Sequence, residues 1–376
     1  MRFLLLAAGA GALVPSPPSG GGRVVVPQAS AIGLAEAFPR ELVWSAETGV
    51  STSSGEVLTR TWSYTPAGGE TLNVAYLALG PLDAPPVLLV HGFGASSFHW
   101  RANVESLAET RRVYAIDLLG FGGSDKPIMT YDADLWVDQC AAFLREVAGC
   151  GADKKAIVAG NSIGGFTALA VAALHPDLVS AVASLNGAGK FSAPPELALA
   201  MQVQRDAIEA LDGPAKAWNN FQAAASAALQ RFVVGVGFIF TKQPARIQQV
   251  LRQVYPVAPD RADEALVASI AFPARDANAP EVFYRIVSRN ADGPPRDDRT
   301  IDALLRKLKV PLLLCWGERD PWIVSSTGDR IQRCAAQLGI DVRRVSIDAG
   351  HCPHDENPSE VNAALLDFFD HVEKRL

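Results

Sequence analysis

From about Leu42 onward, short apolar runs alternate with stretches of helical periodicity. Residues 59–64 and 71–78 alternate apolar and polar side chains, the period of a half-exposed leading hairpin. Pro86–Val90 is a continuous apolar run, the signature of a strand covered on both faces, and Val113–Ile116, Ala156–Ala159, Ala181–Leu185 and Val310–Trp316 repeat it; Val342–Ile347, with Arg343, Arg344 and Ser346 inside it, is the last strand expected. Between them the spacing predicts helices around 97–109, 132–149, 163–174, 324–338 and 358–374. That alternation predicts an α/β fold with a mostly parallel, doubly wound sheet. Ligands bind such sheets at the carboxyl ends of the strands, so the residues just past each strand carry the chemistry. One segment breaks the rhythm. Between Leu185 and Val310 no buried parallel strand is expected; the sequence is rich in Ala, Gln and Arg, with an apolar patch at Phe232–Phe240. It predicts a helical cap over residues 190–300, inserted between the sixth and seventh core strands. The core then comprises residues 41–189 and 301–376, and the Asp-, Pro- and Arg-rich loop Arg289–Arg299 returns the chain to it.

Composition narrows the function classes. The chain of 376 residues is 49% hydrophobic and 20% charged, enough for a large core. A net charge of -6 with no basic stripe excludes nucleic acid as a partner. The five cysteines (Cys140, Cys150, Cys315, Cys334, Cys352) form no Cys-x-x-Cys pair, so reduced and mostly buried thiols are expected rather than disulfides or a zinc site. No metal spacing or phosphate-binding loop is present, and no cofactor is expected. Residues 1–35 contain two arginines and no acid, with an apolar stretch at Phe3–Val14 that is too short to span a bilayer. Residues 1–40 are therefore read as a targeting leader outside the fold, its first half resembling a signal peptide and its acid-free remainder an organellar transit segment. A plastid destination is expected, with secretion as the alternative. No transmembrane span is expected; peripheral association with substrate-bearing membranes is.

The run Gly160-Asn161-Ser162-Ile163-Gly164-Gly165 directly follows the apolar Ala156–Ala159. A serine at a strand-to-helix corner, flanked by glycines two residues away on either side, forms a nucleophile elbow that lifts its hydroxyl clear of the sheet. An acyl-transferring serine needs a base, an acid to orient that base, and donors for the oxyanion, in the chain order serine, acid, histidine. Of six histidines, only His351 and His354 lie just past the last strand, His371 sitting on the final helix, and His351, after the tight Ala349-Gly350 turn, is the expected base. His354 is assigned a packing or supporting role. Past the preceding strand, Gly317-Glu318-Arg319-Asp320-Pro321-Trp322 offers Asp320 as the acid, with Glu318 and Asp348 as alternatives. Asp320 also suits a helix N-cap, and both roles are compatible. The oxyanion donors are expected from the N–H of Ile163, at a helix N-terminus, and of Phe93 in His91-Gly92-Phe93-Gly94. Gly94, Asn161, Asn186, Trp322 and Phe238 are candidate pocket residues. Asn161 either polarises a substrate or braces the elbow. Phe98 and Trp100 read as core, Asp117 and Ser124 as loop braces, and Cys352 as a buried small side chain.

From about residue 60 to the C-terminus the chain resembles the α/β-hydrolase superfamily. The runs His91–Ser96 and Asp117–Asp125 resemble its capped, epoxide-hydrolase-like branch, whose elbow carries aspartate where this chain has Ser162. Gly160–Phe166, Gly317–Trp322 and Gly350–Pro358 resemble the plastid-targeted hydrolases of the pheophytinase and chlorophyll dephytylase type, which release a phytyl alcohol by ester hydrolysis. The resemblance implies a triad of Ser162, Asp320 and His351, with Phe93 and Ile163 at the oxyanion hole. The expected activity is hydrolysis of a small-molecule carboxylic ester bearing a large apolar group, such as a phytyl, prenyl or lipid chain. Two other readings stand beside it: carbon–carbon hydrolysis, whose enzymes also carry Gly-Asn-Ser-x-Gly-Gly, and a ligand receptor on a hydrolase scaffold.

Overall fold

The computed structural model describes residues 51–52, 55–56, 58–288 and 297–375. The expected leader, residues 1–40, and most of the loop Arg289–Arg299 lie outside the described residues. Eight strands form one sheet: β1 (Leu58–Tyr64), β2 (Leu72–Leu79), β3 (Pro86–Val90), β4 (Arg112–Ile116), β5 (Ala156–Asn161), β6 (Val179–Leu185), β7 (Leu312–Gly317) and β8 (Val342–Ile347). Their spatial order is β8-β7-β6-β5-β3-β4-β2-β1. β2 runs antiparallel to its neighbours β1 and β4, and every other pairing is parallel.

The continuous apolar runs follow from burial on both faces. Val87 and Leu89 of β3 belong to one core cluster, and Leu88 and Val90 to the other. Val104 and Leu107 of α1 (Val104–Ala108), with Leu365, Phe368 and Phe369 of α12 (Pro358–Glu373), cover one face. The opposite face is covered by α2 (Ala133–Glu146), α3 (Ile163–Leu174), α9 (Ile301–Lys307) and α10 (Ser325–Gln337). The single helix expected over 97–109 is two pieces, a 3-10 turn Ser97–Trp100 and α1. Asn103 stands between them, its buried amide donating to the His354 carbonyl at 3.0 Å and to Asn362 at 2.7 Å. All five cysteines are free thiols, four of them buried.

Between β6 and β7 the described chain is helical: α4 (Pro195–Glu209), α5 (Gly213–Thr241), α6 (Pro244–Val254), α7 (Glu264–Ala271) and α8 (Ala279–Val287). Leu251 and Val254 of α6 and Leu266 of α7 form a small third core with Tyr255 and Cys352, joining this insertion to the loop after β8. By length and composition α5 is long and apolar enough to cross a membrane. Just past the carboxyl ends of β5, β6, β7 and β8 stand Ser162, Asn186, Asp320 and His351.

Helix α3 lies very close against the end of β3. A methyl group on Gly164 would overlap the backbone carbonyls of Val90 and His91, neither of which can move without breaking the sheet. Gly164→Ala is expected to cost about 3 kcal/mol, read as a lowered urea midpoint; a loss below about 0.5 kcal/mol would remove this constraint from the account.

Candidate active site

Ser162 sits at the corner between β5 and α3 with φ 58 and ψ -119, a conformation that non-glycine residues rarely hold. The corner is locked from three sides. Its N–H donates to the Leu185 carbonyl at 3.0 Å, and its carbonyl accepts from Phe166 N–H at 3.1 Å and Ala188 N–H at 2.8 Å. A Cβ at Gly160 would collide with the Gly164 carbonyl, which is why only glycine precedes the serine by two. Ser162 is 8% exposed, and its hydroxyl makes no hydrogen bond among the described residues.

Asp320 and His351 meet. The Nδ1 of His351 lies 2.7 Å from Asp320 Oδ2, which assigns Nδ1 as the protonated nitrogen and leaves Nε2 for other partners. The same oxygen accepts from Asn186 Nδ2 at 2.8 Å. Oδ1 accepts from the N–H groups of Trp322 at 2.7 Å and Ile323 at 3.0 Å. Asp320 thus orients the imidazole with one oxygen and closes its own turn with the other, so both roles anticipated for it coexist. The rival acids are engaged at the surface: Glu318 with Arg344 at 2.8 Å and Asp348 with Arg319 at 2.7 Å.

Asn161 joins the serine corner to the histidine loop. Its Nδ2 donates to the backbone carbonyls of Leu185 at 3.1 Å and His351 at 2.8 Å. The residue immediately before the serine therefore grips the backbone of the histidine. With both amide hydrogens committed to main chain, Asn161 is a brace. Asn186, expected to line the pocket, does not: it is fully buried. Its left-handed backbone (φ 43) just past β6 turns the amide inward, where it donates to Asp320 and to the Gly317 carbonyl at 3.2 Å and accepts from Gly317 N–H at 2.7 Å. Asparagine tolerates that backbone better than most residues.

The loop after β3 packs on the serine, a Cβ on Gly92 falling 3.3 Å from Ser162 Cβ. The N–H groups of Phe93 and Ile163 have no acceptor among the described residues, as oxyanion donors require. His91, assigned no role from sequence, holds this loop. Its Nε2 accepts from Leu118 N–H at 3.0 Å, so its Nδ1 donates to the Gly92 carbonyl at 2.7 Å. Complete burial lowers its pKa and keeps the ring neutral, as that pattern needs. Asp117 braces the following loops through Ser97 N–H at 2.6 Å and Gly123 N–H at 2.7 Å. Gly94 (φ 74) turns the chain in open space.

The remaining pocket candidates divide by exposure. Trp322 is partly exposed, its ring 4.9 Å from that of His351. Phe93 is partly exposed and begins an aromatic chain: Phe121 and Phe283 each lie 5.7 Å away, and Phe283 is 5.1 Å from the buried Phe238. Phe121 and Phe283 escaped the sequence reading because nothing local marks them. Of the patch Phe232–Phe240, only Val234 and Phe238 are buried; Phe232, Val233, Val236, Ile239 and Phe240 face outward.

Past the histidine, Gly350–Pro358 works as a clamp. The N–H of His351 donates to the Val254 carbonyl of α6 at 3.0 Å. Glu356 accepts from Gly350 N–H and, at 2.6 and 2.9 Å, from Val257 and Ala258 N–H. Asp355 is buried between Arg101 at 2.9 Å, Arg261 at 3.1 Å and the Tyr255 hydroxyl at 2.9 Å. Burial opposes its charge, but the hydrogen bonds from Arg101, with His99 and Arg261 nearby, win and hold the carboxyl below its ordinary range. His354 is buried and packs its ring 4.3 Å from Trp100 and 4.6 Å from His99. Cys352 is pushed well above the usual thiol range by burial, which removes any thiolate role. Among the described residues no group of three or more metal-ligating side chains is found.

The model of the alpha/beta hydrolase fold family matches residues 85–358, well over half of the chain. The chain belongs to that family. It is 27% identical over 334 residues to chloroplastic pheophytinase of Arabidopsis thaliana, covering 78% of this chain and 62% of that protein. It is 28% identical to epoxide hydrolase A of Mycobacterium tuberculosis, covering 79% and 94% of the two chains. A further relative, 2-hydroxy-6-oxo-6-(2'-aminophenyl)hexa-2,4-dienoic acid hydrolase of Metapseudomonas resinovorans, is 38% identical over 126 residues, 33% of this chain and 41% of its own length. The chain thus spans less than two thirds of two of these relatives. Among solved structures, a bacterial membrane phospholipase A aligns with a TM-score of 0.59 at 26% identity, covering 84% of this chain and 87% of that one. An esterase of Thermogutta terrifontis aligns at 0.60 and shares the fold at 22% identity, covering 84% and 99%. Hydrolase chemistry is therefore the frame for the site.

Two outcomes follow from this geometry. Asn186→Ala leaves Asp320 with one lost donor and replaces a side chain suited to φ 43, so a loss of about 1–3 kcal/mol is expected, read as a lowered denaturation midpoint. Second, burial lowers the His99 pKa from 6.5 to about 4. A depressed histidine leaves stability intact above pH 6.5 and lost as pH falls toward 4, because the unfolded chain takes up the proton first. The urea midpoint should drop over that window, by at most about 1.4 kcal/mol per pH unit from this group. His99→Gln should shallow the slope; an unchanged slope would refute the assignment.

Proposed function

We propose that the protein is a serine hydrolase that cleaves a carboxylic ester carrying a large apolar group, through an acyl-enzyme on Ser162. The observation that carries this reading is the 2.7 Å contact of His351 with Asp320 on a loop whose backbone is tied to the residue preceding Ser162. His351 Nε2 takes the Ser162 proton as the oxygen attacks the ester carbonyl, and the N–H groups of Phe93 and Ile163 hold the oxyanion. Collapse of the tetrahedral adduct expels the alcohol, to which His351 returns the proton. Water, deprotonated by the same nitrogen, then attacks the acyl-enzyme, releases the acid and restores Ser162. Asp320 keeps Nδ1 protonated and stabilises the imidazolium in each half. The serine–histidine contact closes when substrate seats, as catalytic hydrogen bonds commonly tighten only in the complex.

The aromatic chain Phe121–Phe93–Phe283–Phe238 supports an apolar pocket wall beside the oxyanion loop, and likeness to pheophytinase supports a phytyl, prenyl or lipid ester. The same relative, with the acid-free N-terminus, supports a plastid location. Serine at the elbow argues against the alkyl-enzyme chemistry of epoxide hydrolases. Carbon–carbon hydrolysis is favoured by the similarity to the Metapseudomonas enzyme, yet the amide of Asn161 donates to main-chain carbonyls and is not offered to a substrate.

Ser162→Ala is expected to abolish hydrolysis of p-nitrophenyl esters and labelling by a fluorophosphonate probe, with the melting curve unchanged; retained turnover would remove Ser162 from the mechanism. Wild-type kcat/KM is expected to rise from acetate toward palmitate. A flat profile would count against the apolar pocket, and turnover of a vinylogous diketone in place of esters would establish the second reading.

A further inference from the structure

Helix α5 presents two apolar faces, and among the described residues only one of them has a partner. Ala227, Arg231, Val234 and Phe238 recur at intervals of three and four and so form one stripe, and that stripe packs on α8. The Ala227 carbonyl accepts from the Tyr284 hydroxyl at 3.5 Å, Arg231 pairs with Glu281 at 2.9 Å, and Phe238 meets Phe283. At about 100° per residue, Trp218, Phe221, Phe232, Val236, Ile239 and Phe240 fall on the opposite side of the helix. All six are exposed, Phe232 by 69% and Phe240 by 67%. A helix on the surface of a water-soluble protein places polar side chains there, and a contiguous outward apolar face of this size marks an interaction site.

Charge selects the partner. The chain as a whole carries -6, yet residues 213–259 contain five basic residues and no Asp or Glu. Arg231 is paired with Glu281, Lys216 stands near the start of the helix, and Lys242 follows its last turn with its ammonium 5.8 Å from the centre of the Phe238 ring. An outward apolar face on a net-basic, acid-free stretch of an acidic protein matches the headgroup region of an anionic bilayer. Length alone would allow α5 to span, about 1.5 Å for each of its 29 residues. Its inner stripe, however, is held against α8 at Ala227, Arg231 and Phe238, which keeps the helix along the protein surface.

We propose that the outward face of α5 is a membrane-docking surface, lying in the plane of an anionic leaflet with Phe232, Val236, Ile239 and Phe240 inserted among the lipid chains. The inference does not depend on which bond the active site breaks. The test is flotation of the full chain with vesicles of equimolar phosphatidylglycerol and phosphatidylcholine, compared with phosphatidylcholine alone. Binding is expected on the anionic vesicles, and Phe232→Glu with Phe240→Glu is expected to weaken it at least tenfold. Lys216→Glu with Lys242→Glu is expected to erase the preference for anionic lipid. Both variants are expected to retain the wild-type melting temperature and p-nitrophenyl butyrate turnover, while Ser162→Ala should float like wild type, so the docking surface and the hydrolase reading fail separately. No binding to anionic vesicles, or equal binding by the Phe232/Phe240 variant, overturns the proposal. So does a solution dimer that the same two substitutions abolish, because a second copy would then cover the face.

Discussion

The structure depends on one steric constraint, the absence of side chains where β5 turns into α3. Ser162 holds φ 58, a left-handed backbone that costs a non-glycine residue on the order of 1–3 kcal/mol. It persists because the surroundings permit nothing else. The glycines at 160 and 164 let the helix start almost on top of the strand, with Gly164 pressed on the carboxyl end of β3. A hydrogen bond to the Leu185 carbonyl and two from the N–H groups of Phe166 and Ala188 then fix both backbone groups of the serine. The same compression brings the His91–Gly94 loop against Ser162, so one close contact sets the serine beside the N–H groups of Phe93 and Ile163.

Around that corner the polar groups are arranged as supports for supports. Asn161 ties the elbow to the main chain of His351, Asn186 steadies Asp320, and His91 pins the Gly92 carbonyl. Farther out, Asp355 and Glu356 attach the histidine loop to the 3-10 turn at Ser97–Trp100 and to the end of α6. The Gly350–Pro358 motif is therefore mechanical: the acids after His351 set where its imidazole stands. Because the His351 N–H bonds to Val254, the helical insertion is part of this support as well as a cover.

Much of this was legible in the chain because the relevant signals are local. Continuous apolar runs marked the strands β3 to β7 and alternating runs the leading hairpin, while the ends of β5, β7 and β8 offered Ser162, Asp320 and His351 in that order. What was hidden depends on contacts between distant segments. Asn186 reads as a residue past a strand end, and only its positive φ turns it from the pocket toward Asp320. His91 reads as the end of a turn until Leu118, from the next strand loop, donates to it. Phe121 and Phe283 lie 162 positions apart and meet only through Phe93. The patch at 232–240 was visible as apolar, but a one-dimensional pattern does not say which stripe of a long helix faces the body.

The chain leaves and rejoins the core at adjacent points. The Ile301 N–H donates to the Lys190 carbonyl at 2.8 Å, and Ser192 N–H to Asp302 at 2.8 Å, so α4 through α8 hang from a closed neck. A closed neck makes the insertion exchangeable: its length and sequence can change while the sheet keeps its register, because the chain leaves and re-enters the core at neighbouring points. Replacement of the helices between Lys190 and Ile301 is thus a route by which this scaffold acquires new preferences without relearning how to fold. Only the Val254 carbonyl and the anchors of Glu356, Asp355 and Cys352 would need to be carried across unchanged.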